Sequence, residues 1–193
     1  MSKNKSYRFL GVDPGTNVLG YALIDVHNNK VTLITMGVLQ MSKLGEQQLK
    51  LKMIFERLQE IIKEYQPGEM AIEAPFFGKN VQSMLKLGRA QGVAIAAGIT
   101  NGVQVTEYAP KKIKQSVTGN GNASKEQVAA MLATIVGQKL DKQTLDATDA
   151  LGAAVCHFFQ SGSPLAGKKK YSDWSAFAKD NSSRIKGKKK NLR

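Results

Sequence analysis

Sulfur and imidazole ligands are scarce in this sequence, which has one cysteine, Cys156, and two histidines among 193 residues. A single cysteine cannot form an internal disulfide, which fits a reducing compartment, and we expect the protein to be cytoplasmic. Cys156 lies in an apolar helical pattern and is predicted to be a core residue. So few thiol and imidazole groups exclude a zinc site built from Cys and His ligands.

Long apolar runs are also missing. The longest nearly apolar stretch, Val93 to Ile99, is far shorter than the roughly 18 residues that a membrane-spanning helix needs. The N-terminal sequence MSKNKSYRFLG lacks the apolar segment of a secretory signal. We therefore expect a protein with no membrane partner.

Acidic residues are outnumbered, with 15 Asp and Glu against 28 Lys and Arg, for a formal charge of +13. Residues 168–193 carry +8 of this charge and residues 1–167 carry +5. The excess is typical of a protein that binds a polyanion, either nucleic acid or an anionic membrane surface, but a solubilising surface explains it equally well. The apolar pattern stops at Ser161, which predicts a folded domain over 1–160 and a basic, disordered tail over 161–193.

The hydrophobic periodicity predicts three strands with short turns, a long amphipathic helix, and then strands that alternate with helices. The first three strands would form an antiparallel meander. The predicted strands are Tyr7–Asp13, Val18–Val26, Val31–Gln40, Glu69–Glu73 and Val103–Glu107, and the predicted helices are Leu44–Tyr65, Asn80–Asn101, Pro110–Val117, Ser124–Gly137 and Leu145–Gln160. This order predicts an α/β fold with a mixed five-stranded sheet flanked by helices.

Two carboxylates stand at the ends of apolar strands. Asp13 closes the run Phe-Leu-Gly-Val-Asp, and Glu73 closes Met-Ala-Ile-Glu. A carboxylate there is costly unless it meets a cation or hydrogen-bond donors, and open α/β sheets bind ligands at strand ends. For Asp13 the alternative is a residue that caps its own Asp-Pro-Gly turn. The acids of the long helix are expected to face solvent: Glu46, Glu56, Glu60 and Glu64.

Asp146 and Asp149 lie three residues apart in Leu-Asp-Ala-Thr-Asp-Ala-Leu, at the start of a predicted helix. This spacing puts both side chains on one side of the helix, roughly 5–6 Å apart at Cβ. Taken alone, the pair is better explained as acids that stabilise a first helical turn. Together with Asp13 and Glu73, however, the pair could bind divalent cations, which prefer oxygen ligands. Two such ions can activate water and stabilise the leaving oxygen of a phosphodiester, so the four acids predict a metal-dependent nuclease.

Four motifs together resemble the RuvC family of Holliday-junction resolvases. They follow the family's order and approximate spacing over residues 7–160: Asp13-Pro14-Gly15-Thr16 with Gly20, Ala71-Ile72-Glu73, Leu85-Lys86-Leu87-Gly88 with Gly92-Val93-Ala94, and Asp146-Ala147-Thr148-Asp149-Ala150-Leu151. The resemblance implies an RNase H-like fold and a homodimer that makes paired nicks in four-way DNA junctions during recombination and repair. It implies two Mg²⁺ or Mn²⁺ ions per active site, bound by the catalytic acids Asp13, Glu73, Asp146 and Asp149. It also implies the RuvAB branch-migration complex as a partner.

The resemblance further implies which residues contact DNA. Lys114 and Lys125 match basic residues of the family, and Phe76 matches an aromatic residue that contacts bases near the crossover. Lys79, in the same loop as Phe76, is predicted to contact DNA as well. The Phe76 ring could stack on an unpaired base, although a core phenylalanine under the loop is the alternative.

Three other functions remain open at this stage. The turn Asp13–Thr16 also resembles the phosphate loop of ATP-binding kinases and actin-like proteins, but those proteins need two large lobes. The segment Gly119–Lys125 is a poor Walker A loop, because Ser124 stands at a glycine position. The second open function is a non-catalytic junction- or RNA-binding module of the same fold. The third is a small RNase H-like nuclease that processes RNA.

The helix predicted over Asn80–Asn101 has small residues at four-residue spacing: Gly88, Gly92 and Ala96. We predict that this helix forms the homodimer interface, because small residues let a second helix approach closely. Apolar area would come from Met84, Leu85, Ile95 and Ile99. The alternative is that the small-residue stripe packs only on its own sheet.

Overall fold

The computed structural model describes residues 6–75, 80–140 and 145–161. The strands are β1 (Ser6–Asp13), β2 (Val18–His27), β3 (Lys30–Gln40), β4 (Glu69–Glu73) and β5 (Gln104–Tyr108). The helices are α1 (Gln47–Tyr65), α2 (Val81–Thr100), α3 (Pro110–Thr118), α4 (Lys125–Val136) and α5 (Leu145–Ser161). Each predicted strand and helix is present, and the tail predicted after residue 160 lies outside the described residues except for Ser161.

The five strands form one sheet in the order β3-β2-β1-β4-β5. The pairs β1–β2 and β2–β3 are antiparallel, whereas β1–β4 and β4–β5 are parallel, so the predicted mixed sheet is confirmed. In the central parallel pair Val12 lies opposite Ile72. The next residues, Asp13 and Glu73, are therefore the last residues of two neighbouring strands and lie side by side at the same end of the sheet.

Turn residues set the limits of these elements. Asn28 and Asn29 both have positive φ, 50° and 62°, which suits the tight hairpin between β2 and β3. Gln66, with φ of 50°, ends α1, and its N–H donates to the Ile62 carbonyl. The helix begins at Gln47 rather than at the predicted Leu44, because the Leu44 N–H donates to the Met41 carbonyl and closes a turn there.

Helices cover both faces of the sheet. Helices α1 and α2 pack on one face, in a core that includes Leu10, Val12 and Ile72. Helix α5 covers the other face, where Ala71 and the buried thiol Cys156 lie, as predicted for Cys156. Since side chains alternate along a strand, Asp13 points to the same face as Gly11 and Phe9, the face that α5 covers. None of the helices within 6–75, 80–140 and 145–161 has the length and apolarity needed to cross a membrane.

Two strand glycines let α5 lie directly against the sheet. A Cβ at Gly11 would lie 2.0 Å from the Ala150 carbonyl oxygen, and one at Gly20 would lie 2.0 Å from the Asp146 carbonyl oxygen. Any other residue would push the helix away, because real Cβ atoms do not approach a carbonyl so closely. Gly20 pairs with Asp13 across β1 and β2. The first turn of α5 is therefore held beside the end of β1.

Candidate active site at the sheet edge

Asp13 lies at the end of β1, half-buried under the first turn of α5. Within the described residues its carboxylate accepts no hydrogen bond from the following turn, which speaks against a role as a turn cap. Gly15 in that turn packs closely, since a Cβ there would lie 1.9 Å from the Val18 carbonyl oxygen. The chain thus turns sharply away and leaves the Asp13 carboxylate facing α5.

Glu73 occupies the equivalent position on β4. It pairs with Tyr108 of β5, and the N–H of the next residue, Ala74, donates to the Tyr108 carbonyl at 2.9 Å. The backbone of Glu73 is therefore held by β5, and the preceding residue, Ile72, is held by β1.

The helix contributes Asp146 and Asp149, both half-buried. The neighbouring residues Ala147, Ala150 and Leu151 are fully buried, so they fix the rotation of the helix on the sheet. With the apolar stripe facing the core, the two aspartates lie along the boundary that faces Asp13. Their predicted position on one side of the helix agrees with this packing.

These four acids, hereafter the acid cluster, come together in space. Carboxylate oxygens of Asp13, Asp146 and Asp149 all lie within 4.8 Å of one another. Glu73 does not belong to that close group, but it is near enough for the charges of Asp13 and Asp149 to act on it. Three oxygen donors at this separation suit a hard divalent cation, and Glu73 extends the site on one side.

Burial and repulsion from neighbouring acids make Asp13 and Glu73 reluctant to ionise. Burial, together with repulsion from Asp149 and Asp146, raises the pKa of Asp13 to about 7. Burial also raises the pKa of Glu73 to about 8, with added repulsion from Asp13 and Asp149. Perturbed carboxylates in one place are typical of functional sites, because a stable fold has no need to bring them together.

Two of the predicted DNA-contacting lysines lie at this site. Lys125, the first residue of α4, donates from Nζ to Asp149 Oδ2 at 2.7 Å, and this hydrogen bond raises the pKa of Lys125. The charge of Lys125, and after it the charge of the half-buried Lys114 on α3, offsets part of the rise in the pKa of Glu73. Phe76 and Lys79, the other two predicted DNA contacts, lie outside the described residues.

A second polar group on α5 was not anticipated from the sequence. The buried His157 lies between Tyr108 and Glu69, with Nδ1 2.8 Å from Tyr108 Oη and Nε2 2.8 Å from Glu69 Oε2. Burial raises the pKa of Tyr108 to about 12. We call this group the histidine bridge. A histidine on the apolar side of a predicted helix was the only signal for it, and its partners are 49 and 88 residues away.

Known proteins are similar to this chain in sequence and in fold. A family described as "Crossover junction endodeoxyribonuclease RuvC" matches residues 9–157. The protein of that name from Cytophaga hutchinsonii is 61% identical over 177 residues, which cover 92% of this chain and 87% of the relative. The Thermus thermophilus RuvC structure superposes with a TM-score of 0.74 at 30% identity, over 80% of this chain and 95% of that one. A structure of T. thermophilus RuvC in complex with Holliday junction substrate gives a TM-score of 0.73 at 29% identity, over 81% and 95% of the two chains.

The family match covers the elements that hold the acid cluster, from β1 to α5. It also decides against the ATP-binding alternative, and the segment Gly119–Lys125 follows helix α3 and ends at the first residue of α4, rather than following a strand. With its RNase H-like sheet and acid cluster, this chain belongs to the RuvC family of crossover junction endodeoxyribonucleases.

Proposed function

We propose that this chain resolves four-way DNA junctions by hydrolysing phosphodiester bonds at the acid cluster. The observation that carries the proposal is the convergence of Asp13, Asp146 and Asp149 within 4.8 Å, beside Glu73. A chain of this family is an endodeoxyribonuclease. A relative of the same fold binds a Holliday junction, which supports the same substrate here.

We propose Mg²⁺ or Mn²⁺ as the cofactor, with two ions per site. The donor set fits, because it consists of carboxylate oxygens alone, and a bound cation would relieve the repulsion among these acids. When bound, such ions supply an activated water and stabilise the leaving oxygen. The part of the protein would be to hold the four carboxylates in position, and Asp13 and Glu73 would lose their protons as the cations bind.

The basic side chains around the acid cluster would hold the DNA backbone. Lys114 and Lys125 place two positive charges next to Glu73 and Asp149, where a phosphate must approach. Charge-assisted contacts of this kind position a strand without reading its sequence. Phe76 and Lys79 remain proposed DNA contacts, because they follow Glu73 in the chain.

We propose a homodimer, with α2 at the interface. Its inner side is buried through Ala90, Ala94 and Ala97. On its outer side, a Cβ at Gly88 or at Gly92 would meet no atom within 4 Å, which speaks against packing of this stripe on its own sheet. Large apolar side chains of α2 are exposed nearby: Val81 (65%), Leu85 (51%) and Ile99 (62%). Paired nicking needs two active sites, which a two-fold dimer provides.

The dimer is tested with Gly92→Leu. The added side chain has room in the monomer but would separate two closely packed helices, so the variant should elute as a monomer and make single nicks. Ala129→Leu on α4 is a control for an added leucine on another helix, and circular dichroism checks folding of both. A folded, dimeric Gly92→Leu variant with paired cutting would remove α2 from the interface.

Two further proposals concern the cell. We propose the RuvAB branch-migration complex as a partner, on the strength of family membership. We also propose the cytoplasm as the compartment, because one buried thiol, Cys156, suits a reducing environment.

The function is tested by incubating the full chain with four-way junctions, DNA duplexes and RNA–DNA hybrids, each with chelator, Mg²⁺ or Mn²⁺. We expect paired nicks in the junction only, and only with metal. Binding without any cleavage would favour the non-catalytic module, and cleavage of the hybrid alone would favour the RNA-processing nuclease.

A further inference from the structure

The Lys125–Asp149 ion pair has an unusual place for a DNA-contacting lysine. Its Nζ lies 2.7 Å from an oxygen of Asp149, one of the three acids whose oxygens lie within 4.8 Å of one another. A lysine that only held phosphate would be expected to point outward, away from the acids. Here the ammonium lies against an oxygen of the proposed metal ligand set.

The backbone of Lys125 is fixed, whereas its side chain is held by the ion pair and is otherwise largely exposed. Ser124 caps α4 by accepting from the Gln127 N–H, and the Gln127 side chain accepts from the Ser124 N–H, which completes a capping box. The Lys125 side chain is 54% exposed, against 24% for Asp149. The ammonium can therefore leave Asp149 by rotation about side-chain bonds, without any change in the helix.

Several acids of the cluster attract the Lys125 ammonium, in addition to its direct partner Asp149. Asp149, Asp13 and Asp146 all act favourably on the charge of Lys125. Within the described residues, Lys125 is the cation that forms an ion pair with the acid cluster, whereas Lys114 forms none there. A divalent cation bound to Asp149 would repel an ammonium 2.7 Å from the same carboxylate, so both cannot occupy their preferred places together.

We infer that Lys125 is a built-in competitor for the metal: its ammonium occupies the acid cluster in the metal-free protein and must leave Asp149 when a divalent cation binds. This inference rests on the proposed metal site. It gives Lys125 a second role, because the same side chain that lowers the repulsion among the acids also lowers the affinity of the free protein for metal. Removal of the ammonium should then tighten metal binding in the absence of DNA.

The experiment is Mn²⁺ titration of the full, metal-stripped chain without DNA, by calorimetry and by the electron paramagnetic resonance signal of free Mn²⁺. Lys125→Met keeps the length and apolar stem of the side chain and should bind Mn²⁺ about two- to fivefold more tightly, the size expected for a partly exposed ion pair. Lys125→Arg keeps the charge and should show no gain. As a second readout, saturating Mn²⁺ should raise the melting temperature of Lys125→Met more than that of the wild type.

Two matched variants separate the ion pair from a general charge effect. Lys114→Met removes a charge that acts on Glu73 but forms no ion pair with the acid cluster, so it should gain less than Lys125→Met. Lys63→Met removes a charge in the last turn of α1 and should have no effect on Mn²⁺ binding. This turn lies far from the acid cluster, because the Tyr65 carbonyl accepts from Arg8 near the other end of β1 from Asp13.

The outcomes are distinct. Unchanged or weaker Mn²⁺ binding by Lys125→Met would overturn the competition, as would an equal gain in Lys114→Met. A wild-type chain that binds no Mn²⁺ would overturn the proposed metal site together with this inference. Normal wild-type binding with no gain in Lys125→Met would overturn the inference alone.

Discussion

The two ends of α5 lie on the same face of one sheet, yet the polar groups at one end have far fewer hydrogen-bond and ion-pair partners than those at the other. At the first turn, Asp146 and Asp149 meet Asp13, and one ammonium, that of Lys125, pairs with them. At the other end, both ring nitrogens of the buried His157 have partners in Tyr108 and Glu69. The histidine bridge satisfies its polar atoms internally, whereas the acid cluster leaves negative charge uncompensated.

This difference shows where the fold serves stability and where it serves binding. A buried polar group with all its partners fixes the position of a helix at little cost. Clustered carboxylates that lack such partners destabilise the protein until a ligand arrives. A single helix can do both because His157 lies 8 residues after Asp149, roughly 12 Å along the axis at the rise of an α-helix.

The largest effect is expected from Asp13→Asn, which should reduce junction cleavage by more than about 100-fold. Loss of a residue that only hydrogen-bonds to a metal ligand already reduces activity by up to about 100-fold, and Asp13 is proposed to bind the metal itself. Junction binding should persist or tighten, because a negative charge is removed. The measurement is single-turnover cleavage beside a gel-shift titration, with the exposed Glu64→Gln as a matched control. Wild-type cleavage by the asparagine variant would remove Asp13 from the metal site.

At the other end of the helix, His157→Ala should lower the free energy of unfolding by about 2–4 kcal/mol, because it leaves Tyr108 and Glu69 without a buried partner. The other histidine offers a matched control, since the exposed His27→Ala should change it by about 0.5 kcal/mol or less. Urea denaturation of the metal-free protein measures both. Equal losses in the two variants would mean that the histidine bridge adds no stability.

The link between the ends is tested by Gly20→Ala, whose Cβ would collide with the Asp146 carbonyl oxygen. We expect a loss of about 1–3 kcal/mol from overpacking, together with weaker Mn²⁺ binding, because Asp146 must move away from Asp13. Gly45→Ala adds the same methyl group at an exposed position where no atom lies within 4 Å, and serves as the control. Normal Mn²⁺ affinity in a folded Gly20→Ala variant would show that the close approach does not position Asp146.

The smallest effect is the response to pH without metal. The folded-state pKa values of Asp13, about 7, and Glu73, about 8, lie above their ordinary values, so the folded protein favours the protonated forms. This stability is present below about pH 4 and is lost as the pH rises towards about 8. The melting temperature in chelator should therefore fall by about 5 °C between pH 6 and pH 8.5.

Saturating Mg²⁺ or Mn²⁺ should reduce this fall, because the bound cation stabilises the ionised carboxylates. Asp13→Asn should flatten the profile in chelator, since it removes one raised group and its repulsion of Glu73. A melting temperature that rises over the same pH range in chelator would contradict the raised pKa values.

Much of the fold follows from local patterns. The strand-end position of Asp13 and Glu73, the three-residue spacing of Asp146 and Asp149, and the turn at Asn28 are all visible in the sequence, and the elements lie where the periodicity predicts them. The start of α1 was predicted three residues early, because the turn that precedes it depends on a hydrogen bond to Met41. Helix limits are weak signals of this kind in any sequence.

The pairings within the site could not be predicted in the same way. Lys125 was predicted to contact DNA, whereas in the structure it donates a hydrogen bond to Asp149. The two residues are 24 positions apart and lie on different helices, α4 and α5. Tyr108 and Glu69 likewise reach His157 only through the packing of α5 on β4 and β5. Contacts of this type depend on the rotation and distance of a helix, which hydrophobic periodicity gives only approximately.

The sequence alone thus determined the elements, the four acids and the family, because strand and helix periods and short motifs are local properties of the chain. Only the tertiary structure decided how the acids interact. The glycines at positions 11 and 20 bring α5 close enough to place Asp146 and Asp149 beside Asp13. Burial at that contact raises the pKa of Asp13. The capping box at the start of α4 fixes the backbone of Lys125 where its side chain reaches Asp149. Charge interactions depend on distance and burial, and both of these are set by packing rather than by sequence order.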